Sequence, residues 1–299
     1  MTRTRLGFAA ALAIAGTTVL GSGQSEQPSE TDRAVLLAAG DIARCGKELG
    51  GAMATGRLLD RLQGTILSLG DHAYTTGAAS DFEQCYEPAW GRHKGRTRPT
   101  PGNHDYFTEN GRAYFTYFGE NAGPERRGYY SFEVAGWHII SLNSNIDSGP
   151  SSNQIQWLKN DLKTHPSVCT LAYWHIPLFS TGDHGGNPKM RDAWEVLHQF
   201  GADVVLNGHD HDYERFQPLD SRGRPDKERG IRQFVVGTGG AGVYRFNRTL
   251  PISEVRDNQS YGVLKLTLSP TSYDWEFIAA VGTFRDSGSA SCVDLPVKP

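Results

Sequence analysis

Three short segments of the chain place metal-binding side chains beside a glycine. They are residues 70–74 (GDHAY), 102–105 (GNHD) and 208–211 (GHDH). Carboxylate, amide and imidazole donors without thiolate suit iron, zinc or manganese. Glycine lets the backbone turn sharply and leaves room for an ion. Together with Asp41 and His175, these segments predict a site for two metal ions.

Each segment also has an ordinary structural interpretation. A Gly-Asp pair after a strand, as at Asp41, is commonly a turn, and residues 102–105 are compatible with an Asx turn. Two imidazoles separated by one residue, as in His209 and His211, also occur by chance on strand faces. The occurrence of all these segments in one chain favours the metal site over a set of unrelated turns.

The elements that must position these residues are short apolar runs. Residues 34–39 precede Asp41, residues 65–69 precede Asp71, residues 168–174 precede His175, and residues 204–206 precede residues 208–211. Continuous apolar runs of this length predict strands buried on both faces. Open α/β sheets place their sites beyond such strand ends.

Between the predicted strands, apolar residues recur at the spacing of helices. Thr55 is the predicted N-cap of a helix carrying Leu58, Leu59 and Leu62, and Ser151 or Ser152 is the predicted cap of another. A third apolar stripe runs from residue 190 to residue 200. Near the end of the chain, residues 263–268 and 273–277 alternate as antiparallel strands do. The sequence therefore predicts an α/β fold with two packed sheets and helices outside.

The chain has 299 residues, of which 38% are hydrophobic, and a net charge of −3. This length is sufficient for a full-sized core. A basic excess is typical of nucleic-acid-binding proteins, so the negative balance predicts no nucleic-acid-binding surface.

The first residues have the pattern of a secretory signal peptide, with Arg3 and Arg5 before an apolar run at residues 6–20. An uncleaved membrane tether is the alternative. We expect a signal peptide at residues 1–22, a linker at 23–33 and a single domain at 34–299. The expected location is secreted, periplasmic or at the cell surface.

Export changes the interpretation of the four cysteines. An even number in an oxidising compartment predicts two disulfides, with three possible pairings. Our preferred pairing joins Cys45 to Cys85 and Cys169 to Cys292. Thiolate metal ligation is the alternative, but the sequence has no C-x-x-C pair to support it.

Taken in chain order, the motifs at residues 41–43, 70–74, 102–105, 172–175 and 208–211 resemble those of the calcineurin-like metallophosphoesterases, and within them the purple acid phosphatases. The resemblance extends over roughly residues 34–284. Ala43 and Ala172 stand where the family pattern has glycine and valine, and neither change removes a ligand. The resemblance implies a four-layer α-β-β-α sandwich of two mixed β-sheets flanked by helices.

The resemblance also implies seven metal ligands, namely Asp41, Asp71, Tyr74, Asn103, His175, His209 and His211. Asp41, Tyr74 and His211 would hold ferric iron. Asn103, His175 and His209 would hold Zn²⁺, Mn²⁺ or Fe²⁺, with Asp71 bridging the two ions. If Tyr74 is instead a buried aromatic that only packs, the site remains dinuclear but does not require ferric iron.

Two further histidines are candidates for donating a proton to the leaving oxygen. They are His104, which follows a ligand, and His184, for which an ordinary loop histidine is the alternative. The remaining histidines are interpreted as structural or surface residues, namely His72, His93, His138, His165 and His198.

The implied activity is that of an exported phosphatase that hydrolyses phosphate monoesters by attack of a metal-bound hydroxide. One alternative is a phosphodiesterase or nucleotide-hydrolysing enzyme, because relatives with the same ligands cleave such bonds. Another is a metal-binding surface protein without turnover. Substrate choice is expected to depend on loops such as residues 106–127.

Overall fold

The computed structural model describes residues 1–2 and 33–293. The expected signal peptide, apart from its first two residues, and the expected linker up to residue 32 lie outside the described residues. Among the described residues, no helix has the length and apolar character required to cross a bilayer.

The strands in the described part of the chain are β1 (Ala34–Ala39), β2 (Ala43–Arg44), β3 (Thr65–Ser68), β4 (Ala73–Tyr74), β5 (Thr97–Pro99), β6 (Tyr130–Val134), β7 (Trp137–Ser141), β8 (Cys169–Tyr173), β9 (Val204–Asn207), β10 (Tyr213–Leu219), β11 (Ile231–Val236), β12 (Ser253–Asp257), β13 (Tyr261–Ser269), β14 (Ser272–Val281) and β15 (Ser287–Ser291). The α-helices are α1 (Leu49–Leu59), α2 (Ala79–Asp81), α3 (Glu87–Trp90), α4 (Asn103–Tyr106), α5 (Arg112–Phe118), α6 (Asn153–Thr164) and α7 (Arg191–Gln199). Shorter 3-10 or π-helical segments are Gly46–Glu48, Phe82–Tyr86, Gly91–Arg96, Glu109–Gly111, Gly119–Ala122, Pro124–Arg126 and Pro188–Met190.

The strands form two large mixed sheets and one small one. The six-stranded sheet has the order β15-β14-β13-β1-β3-β5, and the seven-stranded sheet has the order β12-β10-β11-β9-β8-β7-β6. Strands β1, β3 and β5 are parallel, as are β7, β8, β9 and β11. The short strands β2 and β4 pair beside them. Parallel pairing brings the carboxyl ends of neighbouring strands to one edge of each sheet.

Alternate residues of the seven-stranded sheet face opposite layers. Ile139, Leu171 and Leu206 join the apolar cluster that contains the six-stranded sheet and α1. Their neighbours Ile140 and Ala172 join the cluster that contains α6 and α7. Both faces are therefore buried, which explains the continuous apolar runs in these strands. The predicted α/β fold with two packed mixed sheets flanked by helices is confirmed.

The helix predictions were partly correct. Ser152 caps α6, where its side chain accepts a hydrogen bond from the Ile155 amide, and the stripe after residue 190 forms α7. Thr55 as an N-cap was wrong, because α1 begins at Leu49 and Thr55 lies inside it. Its buried hydroxyl donates to the Gly239 carbonyl over 2.6 Å and accepts from the Trp90 indole, so it has a tertiary role instead of a capping one.

The cysteine pairing preferred from the sequence is confirmed. Cys45 and Cys85 form one disulfide with a Cα–Cα distance of 5.1 Å, and Cys169 and Cys292 form the other at 5.5 Å. Cys169 begins β8 in the seven-stranded sheet, and Cys292 follows β15 in the six-stranded sheet. The second disulfide therefore links the two large sheets covalently.

Candidate dinuclear metal centre

The predicted ligands lie just beyond the carboxyl ends of strands from both large sheets. Asp41 follows β1 and Asp71 follows β3, while His175 follows β8 and residues 208–211 follow β9. Asn103 is the first residue of α4, after β5. Donor atoms of Asp41, Asp71 and His175 lie within 4.8 Å of one another, so strand ends distant in sequence meet at one place.

Tyr74 lies at the centre of the first group of donors. Its hydroxyl oxygen is 2.9 Å from Asp41 Oδ1, 3.0 Å from Asp71 Oδ2 and 2.9 Å from His211 Nε2. His211 Nε2 is also 3.3 Å from Asp41 Oδ1. The side chains of Asp41, Tyr74 and His211, together with Asp71, are thus gathered at one point.

The second group of donors surrounds His175. Its Nε2 atom is 3.1 Å from Asn103 Oδ1 and 3.3 Å from Asp71 Oδ2. The His209 ring lies 5.1 Å from the His175 ring between centroids. Leu69 fixes the His175 ring, because its carbonyl oxygen lies 2.8 Å from Nδ1. Asp71 belongs to both groups, as a bridging ligand would.

The electrostatics of this cluster are those of buried acids held beside imidazoles. Burial raises the pKa of Asp71. The charge of His175 and its hydrogen bond lower this pKa, and together the lowering effects outweigh burial, so the net shift is downward. Burial lowers the pKa of His175 and the charge of Asp71 raises it, to about 9 overall. For His209, burial and the charge of His175 lower the pKa to about 3. A neutral His209 imidazole has a lone pair available for a metal ion.

The phenol of Tyr74 shows why cations suit this donor set. Burial, followed by the charges of Asp41 and Asp71, raises its pKa well above the ordinary value. A phenolate between two carboxylates requires compensating positive charge, which bound cations supply. Oxygen donors from carboxylate, phenol and amide groups, with imidazole nitrogens beside them, fit hard or borderline metal ions.

Three of these residues adopt left-handed backbone conformations. The φ angles of Asp41, Asp71 and His209 are 58°, 51° and 74°. This region is uncommon for residues other than glycine, although aspartate and histidine enter it more readily than most. Backbone strain of this kind is concentrated at functional sites, where the surrounding structure holds it in place.

Two motif glycines are required because the backbone approaches a carboxylate closely. A Cβ atom on Gly102 would lie 2.0 Å from Asp71 Oδ1, and one on Gly208 would lie 2.6 Å from Asp41 Oδ2. No side chain fits at these distances. The glycines therefore allow neighbouring turns to pack directly against the two acids.

His104 lies beside the first donor group and points into it. Its backbone N–H donates to Asp71 Oδ1 over 2.8 Å. Its Nδ1 atom is 2.6 Å from the Thr75 carbonyl oxygen, so Nδ1 carries the proton that is donated to that oxygen. The opposite nitrogen, Nε2, is 3.9 Å from Asp71 Oδ2 and is left to face the site.

His184 lies on the other side, in the loop after β8. Its exposed ring stacks on His209 with 4.5 Å between centroids. Its backbone N–H donates to Asp210 Oδ1 over 2.8 Å, and the Gly185 N–H and the Ser180 hydroxyl donate to Asp210 Oδ2. Asp210 therefore holds the loop that carries His184, while its neighbours His209 and His211 face the cluster of candidate metal ligands.

Sequence reasoning missed Tyr244. Its ring stacks on His211 with 3.9 Å between centroids and an angle of 12° between planes, and its edge meets His184 at 5.4 Å. Burial and the charge of Asp41 raise its pKa to about 12. Tyr244 lies in an irregular segment after β11, outside every motif, so no sequence signal marked it.

Sequence reasoning also missed how Asp105 joins two of the motifs. Asp105 accepts hydrogen bonds from the backbone N–H groups of His72 at 3.1 Å and Gly102 at 2.8 Å. Its Oδ2 atom lies 2.8 Å from Nδ1 of the fully buried His72 ring, whose Nε2 is 2.7 Å from Ser68 Oγ. These contacts support the structural interpretation of His72. Both residues lie within the motifs, but their pairing could not be read from their spacing.

Two packed sheets with a cluster of candidate metal ligands at their strand ends are the features of one family of phosphoesterases, and the comparison with family models identifies it. The model of the calcineurin-like phosphoesterase family matches residues 26–213, and the chain belongs to that family. The chain is 34% identical to purple acid phosphatase 15 of Arabidopsis thaliana over 187 residues, which are 50% of this chain and 35% of that protein. It is 43% identical to purple acid phosphatase 22 of the same plant over 121 residues, or 38% of this chain and 27% of that protein. The matches to these curated relatives span about a third of their length.

Solved structures support the same fold. A purple acid phosphatase from yellow lupin (Lupinus luteus) seeds superposes with a TM-score of 0.74 at 18% identity, over 89% of this chain and 55% of that one. A dimetal phosphatase from Danio rerio superposes with a TM-score of 0.61 at 12% identity, over 87% of this chain and 99% of that one. At these identities the similarity concerns the fold alone.

Proposed function

We propose that this protein is an exported dinuclear-metal phosphatase that hydrolyses phosphate monoesters. The observation that carries the proposal is the position of Tyr74, whose hydroxyl lies within 3.0 Å of Asp41, Asp71 and His211. One acceptor would satisfy a buried phenol that only packs, whereas this oxygen meets two carboxylates and an imidazole together. The names of the Arabidopsis relatives support the same reaction class.

The proposed ligand sets follow the two groups of donors. Asp41, Tyr74 and His211 would hold ferric iron, and Asn103, His175 and His209 would hold Zn²⁺, Mn²⁺ or Fe²⁺. Asp71, which contacts both groups, would bridge the ions. When bound, such a pair of cations neutralises an anionic ester and provides hydroxide from water near neutral pH.

The residues of the chain itself supply orientation and a proton. Because Thr75 fixes the proton on His104 Nδ1, a second proton on Nε2 is directed towards the site and is available to a departing alkoxide. His184 offers a second donor beside His209, from the opposite side. Tyr244 covers His211 and His184, so it forms a wall against the part of the substrate beyond the phosphate.

Export is supported by the two disulfides, which persist in oxidising compartments. The signal peptide proposed for residues 1–22 is tested by the N-terminal sequence of protein recovered outside the cytoplasm. A mature chain that begins after residue 22 supports cleavage there, and an intact start supports a tether instead.

The activity is tested with p-nitrophenyl phosphate and its bis ester as substrates for the purified protein. We expect the monoester to be preferred. Asn103→Ala and His209→Ala should each reduce kcat/KM for the monoester by at least ~100-fold, since the loss even of a residue that supports a ligand costs about 10–100-fold. His198→Ala is the matched control, because His198 pairs with Asp226 on the surface side of α7.

Other outcomes of this experiment would change the proposal. A large preference for the bis ester would make the protein a phosphodiesterase. Undiminished hydrolysis by His209→Ala would show that the proposed centre is not the site of reaction. Two bound metals without hydrolysis of either ester would indicate a binding protein.

A further inference from the structure

A second cluster of metal-binding side chains lies far from the proposed dinuclear centre. It consists of His138 on β7, Asp161 on α6 and His165, which follows α6. Their donor atoms lie within 4.8 Å of one another. His138 pairs with Thr170 at the start of β8, whereas His175 follows the end of β8. That separation of five residues amounts to roughly 16 Å along a strand.

The surroundings of His138 require a positive charge. Its Nε2 atom is 2.7 Å from Asp161 Oδ2, and its Nδ1 atom contacts the Glu133 carboxylate. A neutral imidazole carries one N–H and can donate to only one of these acids. The lone pair of the other ring nitrogen would then face a lone pair of the second carboxylate, and the two would repel each other. A cation at this position, either a proton or a metal ion, removes that conflict.

His165 brings a second imidazole to the carboxylate that His138 contacts. Its ring lies parallel to the His138 ring, with 5.4 Å between centroids and an angle of 11°. Its Nδ1 atom is 3.4 Å from Asp161 Oδ1 and 3.0 Å from the main-chain carbonyl oxygen of Asp161. Nδ1 therefore carries the proton that is donated to this carbonyl, and Nε2 keeps the lone pair. A proton on His138 satisfies that ring alone and gives the stacked His165 ring no part in the cluster. One divalent ion can be bound by both rings and the carboxylate together.

We propose that His138, Asp161 and His165 form a third, mononuclear metal site that takes Zn²⁺. Two imidazoles and one carboxylate leave the fourth position of a tetrahedral zinc ion to water. That position is accessible, because the His165 side chain is 52% exposed whereas those of His138 and Asp161 are buried.

The groups around the proposed ligands are arranged as supporting partners of a metal site. Glu133 lies opposite His138 in the β6–β7 ladder and holds its Nδ1–H, which directs Nε2 to the metal. Ser131 donates to Asp161 Oδ1 over 2.8 Å and fixes the carboxylate. The metal ion would connect the edge of the seven-stranded sheet to the C-terminal end of α6.

The test is a count of bound zinc in the full-length chain. Wild type, His165→Ala and His198→Ala are stripped by chelation, reloaded with Zn²⁺, desalted and analysed for zinc per chain. We expect His165→Ala to bind about one equivalent less than wild type, and His198→Ala, a half-buried histidine that also pairs with an aspartate, to match wild type. Circular dichroism checks that each variant is folded.

Glu133→Gln provides a second variant that keeps all three ligands. We expect its zinc affinity at this site to fall by about 10–100-fold, as is usual when the partner of a metal-binding histidine is removed. Equal zinc content in wild type and His165→Ala would overturn the proposal and assign the positive charge to a proton. Failure of the dinuclear proposal would instead lower the zinc content of all the proteins together, without changing the difference between them.

Discussion

Asp71 is the single residue on which both halves of the proposed centre depend. One of its oxygens lies near both Tyr74 and His175, and the other accepts the backbone N–H of His104. Its conformation is set by a left-handed backbone and by direct packing against Gly102. The geometry of the proposed centre thus depends on a few backbone positions as much as on the proposed ligands themselves.

Replacing Tyr74 with phenylalanine tests the proposed ferric iron. The variant loses the phenol oxygen but keeps the ring, so the fold should be retained. We expect a violet tyrosinate–iron absorption band in the wild-type protein purified without chelator, and its loss in Tyr74→Phe. The measurement is a visible spectrum with metal analysis of both proteins. Tyr261→Phe on β13 is the control and should keep the band. A colourless wild type with two zinc or manganese ions would contradict ferric iron and leave Tyr74 as a packing residue.

Gly102→Ala should disrupt the centre without replacing any of the proposed ligands. The added methyl group would lie 2.0 Å from Asp71 Oδ1, so the carboxylate or the turn must move. We expect metal content and monoester hydrolysis to fall together, with kcat/KM reduced by at least ~100-fold because a displacement of about 1 Å can cost that much. Gly95→Ala is the matched control, since a Cβ there meets nothing within 4 Å. Full activity in Gly102→Ala would show that the turn can yield without loss.

At the scale of elements, the turns at the strand ends are held together by Asp105. It belongs to α4, yet it contacts His72, which precedes β4, and the turn at Gly102. The motifs at residues 70–74 and 102–105 are therefore parts of one hydrogen-bonded unit. This unit fixes how the ends of β3 and β5 are placed relative to each other.

Asp105→Ala should destabilise this unit. It leaves the His72 ring and two buried backbone N–H groups without their acceptor, and a buried donor left unpaired costs about 1–3 kcal/mol. We expect the free energy of unfolding to fall by about 2–4 kcal/mol, measured by urea denaturation, with Asp105→Asn less affected. Asp81→Ala is the control, because Asp81 accepts hydrogen bonds only in an exposed turn. Equal stability of the two variants would contradict the role given to Asp105.

The sequence predicted the strands and the sheets well because their signal is local. A strand buried on both faces is a continuous apolar run, and β8 and β9 are such runs in the sequence and in the structure. Helix boundaries were less predictable, as Thr55 shows. A threonine before an apolar stripe has the pattern of a cap, and only the tertiary contact of its hydroxyl with Gly239 accounts for its place inside α1.

The candidate site was predictable only where the donors belong to motifs. Tyr244 packs on His211 from a segment without regular structure, and its position depends on how that segment crosses the sheet ends. No periodicity or spacing encodes such a contact. The supporting role of Asp210 is similar, because it depends on a loop that is about 26 residues earlier in the chain.

At the scale of the whole molecule, the two sheets are joined by an apolar core and by one covalent link. Cys169 and Cys292 are 123 residues apart in the sequence. A disulfide that closes a long segment restricts the unfolded chain strongly, and removal of a native disulfide typically costs about 2–5 kcal/mol.

The double variant Cys169→Ser/Cys292→Ser should therefore unfold at lower denaturant concentration, with a loss of about 2–5 kcal/mol. The measurement is guanidinium unfolding of the oxidised proteins. Removing both cysteines together avoids an unpaired thiol. Cys45→Ser/Cys85→Ser, which opens the disulfide with the shorter sequence separation of 40 residues, is the comparison and should lose less stability. Unchanged stability would show that the apolar contacts between the sheets suffice without the link.

The anchoring of the 180–185 loop to Asp210 has a consequence for how this enzyme class can diversify. The loop is held largely by main-chain amides and by Ser180, and not through the side chain at position 184. Position 184 can therefore change while the loop keeps its shape, with the stacking on His209 as the contact that is lost. Single replacements there would change the side chain that faces the leaving group of the proposed reaction, and the proposed metal ligands would remain unaltered.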